Sequence, residues 1–165
     1  MKRIFTLAGL IPMLVLVNAL NGGPAFAASK GVVVSHVSVT NAKLKGESAV
    51  LMSIDNKTKG PISLLSVTSP ESRMSMIYFD DNMCQGNSKM TWISNILITP
   101  GRTQKLALRY QGAMLSELKE PLIKGQTVPL TVTWSNYRSV HTLTVNAKIV
   151  SSPKGLHFLM SPMKM

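Results

Sequence analysis

Residues 82–90 read NMCQGNSKM and set Met83, Cys84 and Met90 around Gly86-Asn87. Gly and Asn together mark a turn. Two thioethers and the chain's one thiol therefore gather where few apolar neighbours are available. Core filling explains methionine among apolar side chains and accounts less well for this group. Thioether and thiolate donors select Cu(I) among biological metals. The C-terminal stretch SSPKGLHFLMSPMKM repeats the theme with His157, Met160, Met163 and Met165. It has no strand pattern to pack in, so it is either a sticky end or a flexible donor set.

Other chemistry has little to stand on. There is no Gly-rich phosphate loop, paired-carboxylate setting or nucleophile elbow, and no enzyme is expected. His36 shares a strand face with Val32 and Val34, and His141 with Leu143, Val145 and Ala147. Both read as core histidines rather than ligands. Met52 alternates with Val50 and Ile54 and reads as core; Met74 and Met76 share a face with Tyr78 and suit a core or an interface. Asn56-Lys57-Thr58 fits a glycosylation acceptor, a tripeptide that is common by chance. One cysteine rules out an intramolecular disulfide.

The elements that would hold these residues begin after a leader. Lys2 and Arg3 precede an apolar run from Ile4 to about Leu20, and Ala25-Phe26-Ala27 supplies an A-x-A cleavage signal. This is the pattern of a secretory signal peptide over residues 1–27, which implies a periplasmic or secreted protein cut near Ala27. No cysteine lies near the cut for a lipid anchor. The formal net charge is +11. An exported protein rarely meets nucleic acid, so the basic balance points to an anionic envelope surface or an acidic partner, or to a merely soluble basic surface. The sequence does not specify an oligomeric state.

Residues 28–150 read as a series of short strands: 31–40, 49–56, 61–69, 74–79, 92–98, 103–110, 127–134 and 139–150, separated by turn residues. The last two form a hairpin across Ser135-Asn136-Tyr137-Arg138. This spacing predicts an all-β antiparallel sandwich. One short stretch, AMLSELKE at 113–120, is a helical candidate stopped by Pro121. Residues 151–165 form a Met- and His-containing tail.

Two segments, AVLMSIDNKTKGPISLLSVTSP (49–70) and LSELKEPLIKGQTVPLTVTW (115–134), resemble the PCu(A)C-type periplasmic copper chaperones, and the resemblance spans about 36–148. It implies a cupredoxin-like β-sandwich with Greek-key connections, and Cu(I) held at the surface by a motif of the form H-x10-M-x21-H-x-M. It also implies a copper-accepting partner such as a cytochrome oxidase subunit or assembly factor. Counted onto this chain, the methionine positions are Met90 and Met114, and the histidine positions fall on Phe79 and Gly112. Neither Phe nor Gly can donate to a metal. A surviving site must draw on Met90, Met114, Met83 and Cys84, with His157, Met160, Met163 and Met165 as possible tail ligands. The expected function is exported Cu(I) delivery or sequestration. The alternative is a family member that kept the sandwich, lost the metal and binds or assembles envelope components through its basic surface.

Overall fold

The computed structural model describes residues 26–80, 90–108 and 110–152. Among the described residues, eleven strands make up the regular structure: β1 (Ala27–Ser29), β2 (Val32–Thr40), β3 (Ser48–Asn56), β4 (Ile62–Thr68), β5 (Ser72–Asp80), β6 (Met90–Ile93), β7 (Ile96–Ile98), β8 (Thr103–Leu106), β9 (Gln111–Leu118), β10 (Thr127–Asn136) and β11 (Ser139–Val150). They pair in the order β6-β5-β9-β3-β2-β11-β10-β4-β7, with β1 added to β2 and β8 to β3. All pairings are antiparallel except β11 with β2. β5 lies beside β9, and β4 beside β10. These long-range neighbours give the sheet a crossed, Greek-key-like connectivity that curls it into a nearly closed sandwich.

The alternating segments explain the layers. Val128, Leu130, Val132 and Trp134 face inward from β10, and Val145, Ala147 and Ile149 from β11. They meet Ile62, Leu64 and Val67 of β4, Val32 and Val34 of β2, and Ile54 of β3 in one core. Burying each Val, Leu or Ile side chain is worth about 1.5–3 kcal/mol. The hairpin expected at 135–138 is a two-residue turn, with Asn136 paired to Ser139 and its Oδ1 accepting from the Arg138 and Ser139 amides at 3.0 and 2.9 Å. The leader's expected cut falls inside β1, where Ala27 pairs with Val34 and Ala28 with Val33.

Several sequence expectations change. The stretch 92–98 is divided between β6 and β7, and regular structure in 103–110 stops at Leu106. The helical candidate 113–120 is mostly strand β9. Its Leu115 and Leu118 both enter the core, three residues apart, because Glu117 adopts a left-handed φ of 52° that breaks the pleat between them. That spacing imitates a helical period, and pairing on both edges of β9 overrides the helix propensity of Ala, Met, Leu and Glu. His36 is exposed, not core. It has φ 55° at a bulge where the β2–β3 register shifts between Ser35 and Ser38, so Val34 and Val37 point inward and His36 does not. His141 is half-buried against the Trp134 ring, centroids 5.7 Å apart, within hydrogen-bond reach of Ser139 Oγ and Asn136 Nδ2.

Asn56 is 1% exposed. Its Nδ2 donates to the Gly60 and Ile98 carbonyls at 2.9 and 2.8 Å, and its Oδ1 accepts from Thr58 N and Oγ1 at 3.0 and 2.7 Å. A side chain with all four hydrogen-bonding valences engaged is a structural pin between β3 and β7 and no glycan acceptor.

Candidate metal centre

Met90, Met114 and the positions counted as histidine all fall on three adjacent strands, β6, β5 and β9. The register is continuous: Met76 opposes Met114, Tyr78 opposes Gly112, and Phe79 opposes Gln111. On the other edge of β5, Tyr78 opposes Trp92 and Asp80 opposes Met90. Because side chains alternate across a sheet, Met76, Tyr78, Asp80, Met90, Trp92, Gly112 and Met114 share one face. Ile77, Ala113 and Leu115 take the other, which is the main core.

This parity moves one position. The motif count puts the first histidine at Phe79, but the pleat turns Phe79 away from Gly112 and Met114. Phe79 packs edge-on against the Tyr110 ring, centroids 5.2 Å apart. The residue that β5 offers to the site face is Tyr78.

Tyr78 fills the space an imidazole at position 112 would need. A Cβ on Gly112 would come within 2.4 Å of the Tyr78 hydroxyl, 2.5 Å of Tyr78 Cζ and 2.5 Å of the Ala107 carbonyl oxygen. Tyr78 is fully buried, and its hydroxyl donates to the Ala107 carbonyl at 3.1 Å, with the Leu108 carbonyl at 3.4 Å as a second acceptor within reach. Burial, and behind it the negative charge of Asp80, push the Tyr78 phenol up to about 12. It is a neutral donor to carbonyls at any physiological pH and carries no lone-pair anion for a metal. Asp80 is itself buried, and its amide donates to the Tyr110 carbonyl at 2.7 Å.

The two motif methionines lie at different levels. Met90 sits opposite Asp80, and Met114 opposite Met76, four residues along β5 and two strands across. At about 3.3 Å per residue and about 4.8 Å per strand, their Cα atoms are about 16 Å apart in a flat sheet. Strand pairing alone does not make them neighbours. Met114 is fully buried, whereas Met90 is half-exposed at the sheet edge. Among the described residues, no group of three or more His, Cys, Asp or Glu is placed to hold a metal. Met83, Cys84, His157, Met160, Met163 and Met165 lie outside the described residues.

The profile of one protein family, "LpqE-like: Putative lipoprotein LpqE-like", matches residues 32–149. The chain belongs to the LpqE-like family. No curated protein sequence matches it. Among solved structures it is similar to the copper-bound PCuAC domain from PmoF2, with TM-score 0.62 and 16% identity, covering 77% of this chain and 98% of that one. It is similar to apo-DR1885 from Deinococcus radiodurans, with TM-score 0.50 and 24% identity, covering 94% of this chain and all of that one. The Cu(I) form of DR1885 aligns at 27% identity and TM-score 0.50, covering 70% of this chain and 76% of that one. The PCuAC-type resemblance and the all-β fold expected from the sequence are thus both found.

Within this LpqE-like chain, sequence reasoning passed over Tyr78 and Asp80. The signal was present in the alternation of RMSMIYFDD, which sets Met74, Met76, Tyr78 and Asp80 on one face. A count from Met90 back along the chain to β5 cannot fix that phase, because one residue gained or lost between the strands reverses it.

Proposed function

We propose that this protein is an exported Cu(I)-binding protein in which sulfur donors, and not imidazoles, hold the ion as cargo for delivery or sequestration. The observation that carries this reading is the placement of Met90, a motif methionine, half-exposed at the edge strand β6. The soft-donor sequence Met83-Cys84 is separated from Met90 by only six and five residues. The likeness to the Cu(I) form of DR1885, which covers most of the domain, supports the same reading. Tyr78 over Gly112 leaves no room for an imidazole at position 112, and a thioether and thiolate set without imidazole favours Cu(I) over Cu(II). Cys84 and Met83 are the nearest further sulfur donors to Met90 in sequence, and the tail thioethers Met160, Met163 and Met165 complete or relay the set. A cytochrome oxidase subunit or assembly factor is the recipient class that the PCuAC resemblance suggests. Location outside the cytoplasm rests on the leader sequence.

A second reading is favoured by one specific observation. Met114 is fully buried and Tyr78 seals the place beside it, as expected for a member that kept the sandwich without the metal and binds envelope components. Anaerobic titration with Cu(I) against a chromophoric chelator separates the two. The first reading expects one tightly held ion per chain; the second expects none.

A further inference from the structure

At the end of the sheet where β9 finishes, a cavity of about 440 Å³ opens to solvent between the β2–β3 connection and the starts of β5 and Lys119. Its lining is Leu44, Lys45, Arg73, Glu117, Leu118 and Lys119. Three cations and one carboxylate surround it. Arg73 stands between Ser72 and Met74, whose partners on β9 are Leu118 and Ser116, and so lies level with Glu117. Yet among the described residues no ion pair ties Arg73, Lys45 or Lys119 to a carboxylate. Lys119 is steered by donating to the Pro70 carbonyl at 2.6 Å, which leaves two of its three ammonium donors for something else.

The backbone around this cavity is shaped at a cost. Lys45 (φ 57°) and Glu117 (φ 52°) are both left-handed, a conformation rare for residues with a side chain. Their arrangement is fixed by Lys45 N donating to Leu118 O at 2.9 Å, Gly46 N to Lys43 O at 2.9 Å and Lys119 N to Glu71 O at 2.8 Å. Such strain in a tied-down frame concentrates at ligand sites. Here it turns Glu117 outward and lets Leu118 return to the core, so that Leu118 floors the cavity while Leu44, 54% exposed, stands at its lip.

We propose that this pocket binds a phosphate ester, with Arg73, Lys45 and Lys119 on the phosphate oxygens and Leu44 and Leu118 against the carbon portion of the ligand. A guanidinium offers two parallel donors to one phosphate, and the two ammoniums add point charges around it. The volume falls in the range of small-ligand sites. The pocket is independent of the copper reading, because none of its residues is a proposed metal donor. The ester has two sources, a soluble metabolite or the head group of an anionic phospholipid.

The test uses the purified protein at low and moderate salt. Glycerol 3-phosphate is titrated while backbone amide shifts are followed by NMR, and co-sedimentation is measured with vesicles of phosphatidylglycerol and phosphatidylcholine against phosphatidylcholine alone. Saturable shifts centred on Lys45, Arg73, Glu117 and Lys119 support a soluble ester. Binding to the anionic vesicles without a response to glycerol 3-phosphate supports the lipid head group. In either case Lys45→Gln with Arg73→Gln should weaken binding at least tenfold, and Lys105→Gln with Lys148→Gln, which removes the same charge from other strands, should leave it within twofold. All four positions are exposed, and circular dichroism checks that both variants keep the β spectrum. Equal weakening by the two pairs, shifts scattered over all the surface lysines, or no response to either probe would overturn the proposal.

Discussion

Replacing Gly112 by Ala adds one methyl group at the most crowded point of the site face. The new Cβ meets Tyr78 Oη at 2.4 Å, Tyr78 Cζ at 2.5 Å and the Ala107 carbonyl at 2.5 Å, where ordinary contact needs about 1 Å more. Tyr78 cannot swing out, because it is fully buried and tied to the Ala107 carbonyl. Nor can the Ala107 oxygen retreat freely, since the Ala107 amide donates to Gln111 O at 2.9 Å. Overpacking of this kind costs about 1–3 kcal/mol, and forcing the hydroxyl off its carbonyl adds about 1 kcal/mol. The reduced freedom of the unfolded chain returns about 0.4–1 kcal/mol, as φ at Gly112 is not left-handed. The net expectation is a loss of about 2–3 kcal/mol, or about 6–9 °C in Tm at about 3 °C per kcal/mol for a domain of this size. Thermal unfolding followed by circular dichroism reads it. In a Tyr78→Leu background the ring contacts vanish, and Gly112→Ala should cost at least about 1 kcal/mol less, a coupling measured by the double-mutant cycle. A Gly112→Ala protein within about 0.5 kcal/mol of its parent, or additive effects of the two changes, would refute the claim that Tyr78 occupies the position-112 side-chain space.

Three further outcomes are expected. The Tyr78 phenol, pushed up to about 12 in the fold from about 10 in the unfolded chain, keeps its proton while the unfolded state loses its own. Stability should therefore decline as pH rises from about 10 to 12, by up to about 3 kcal/mol, and Tyr78→Phe should flatten that part of the Tm-against-pH curve. Ser116 Oγ is buried without a hydrogen-bond partner among the described residues, so Ser116→Ala should raise stability by about 1 kcal/mol in urea unfolding. Asn56→Ala strands the Ile98 carbonyl and the Thr58 amide, while the Gly60 carbonyl keeps Thr58 Oγ1 as a donor, and should cost about 2–3 kcal/mol; an unchanged urea midpoint would show that Asn56 is no pin.

The strands with clean alternation, β3, β10 and β11, were legible because their inward residues recur at every second position and turn residues bound them. The errors cluster where one residue leaves that phase. At His36 a bulge, and at Glu117 a left-handed residue, let two core positions stand three apart. The first made an exposed histidine look buried, and the second made a strand look helical. The site was legible as residue types and much less as geometry. Methionine spacing survives along the chain, but whether two methionines meet depends on the level at which β6 and β9 pair with β5, and that register is set by tertiary packing. Tyr78 was invisible as a site residue because a tyrosine in an apolar strand looks like core; only its position over a glycine shows what it fills.

The central claim, that sulfur and not nitrogen holds Cu(I) here, is met most directly by anaerobic competition titration of the purified protein and four variants. Met90→Leu, Met114→Leu and Cys84→Ser each remove one proposed donor, and a double His36→Gln/His141→Gln change removes both imidazoles of the described domain; methionine-to-leucine swaps usually cost less than about 1.5 kcal/mol in stability. One Cu(I) per chain is expected, with at least tenfold weaker binding on loss of Met90 or Cys84 and no change in the histidine variant. Stoichiometric binding that survives all three sulfur substitutions but falls in the histidine variant would contradict it, as would a folded parent protein that takes up no Cu(I).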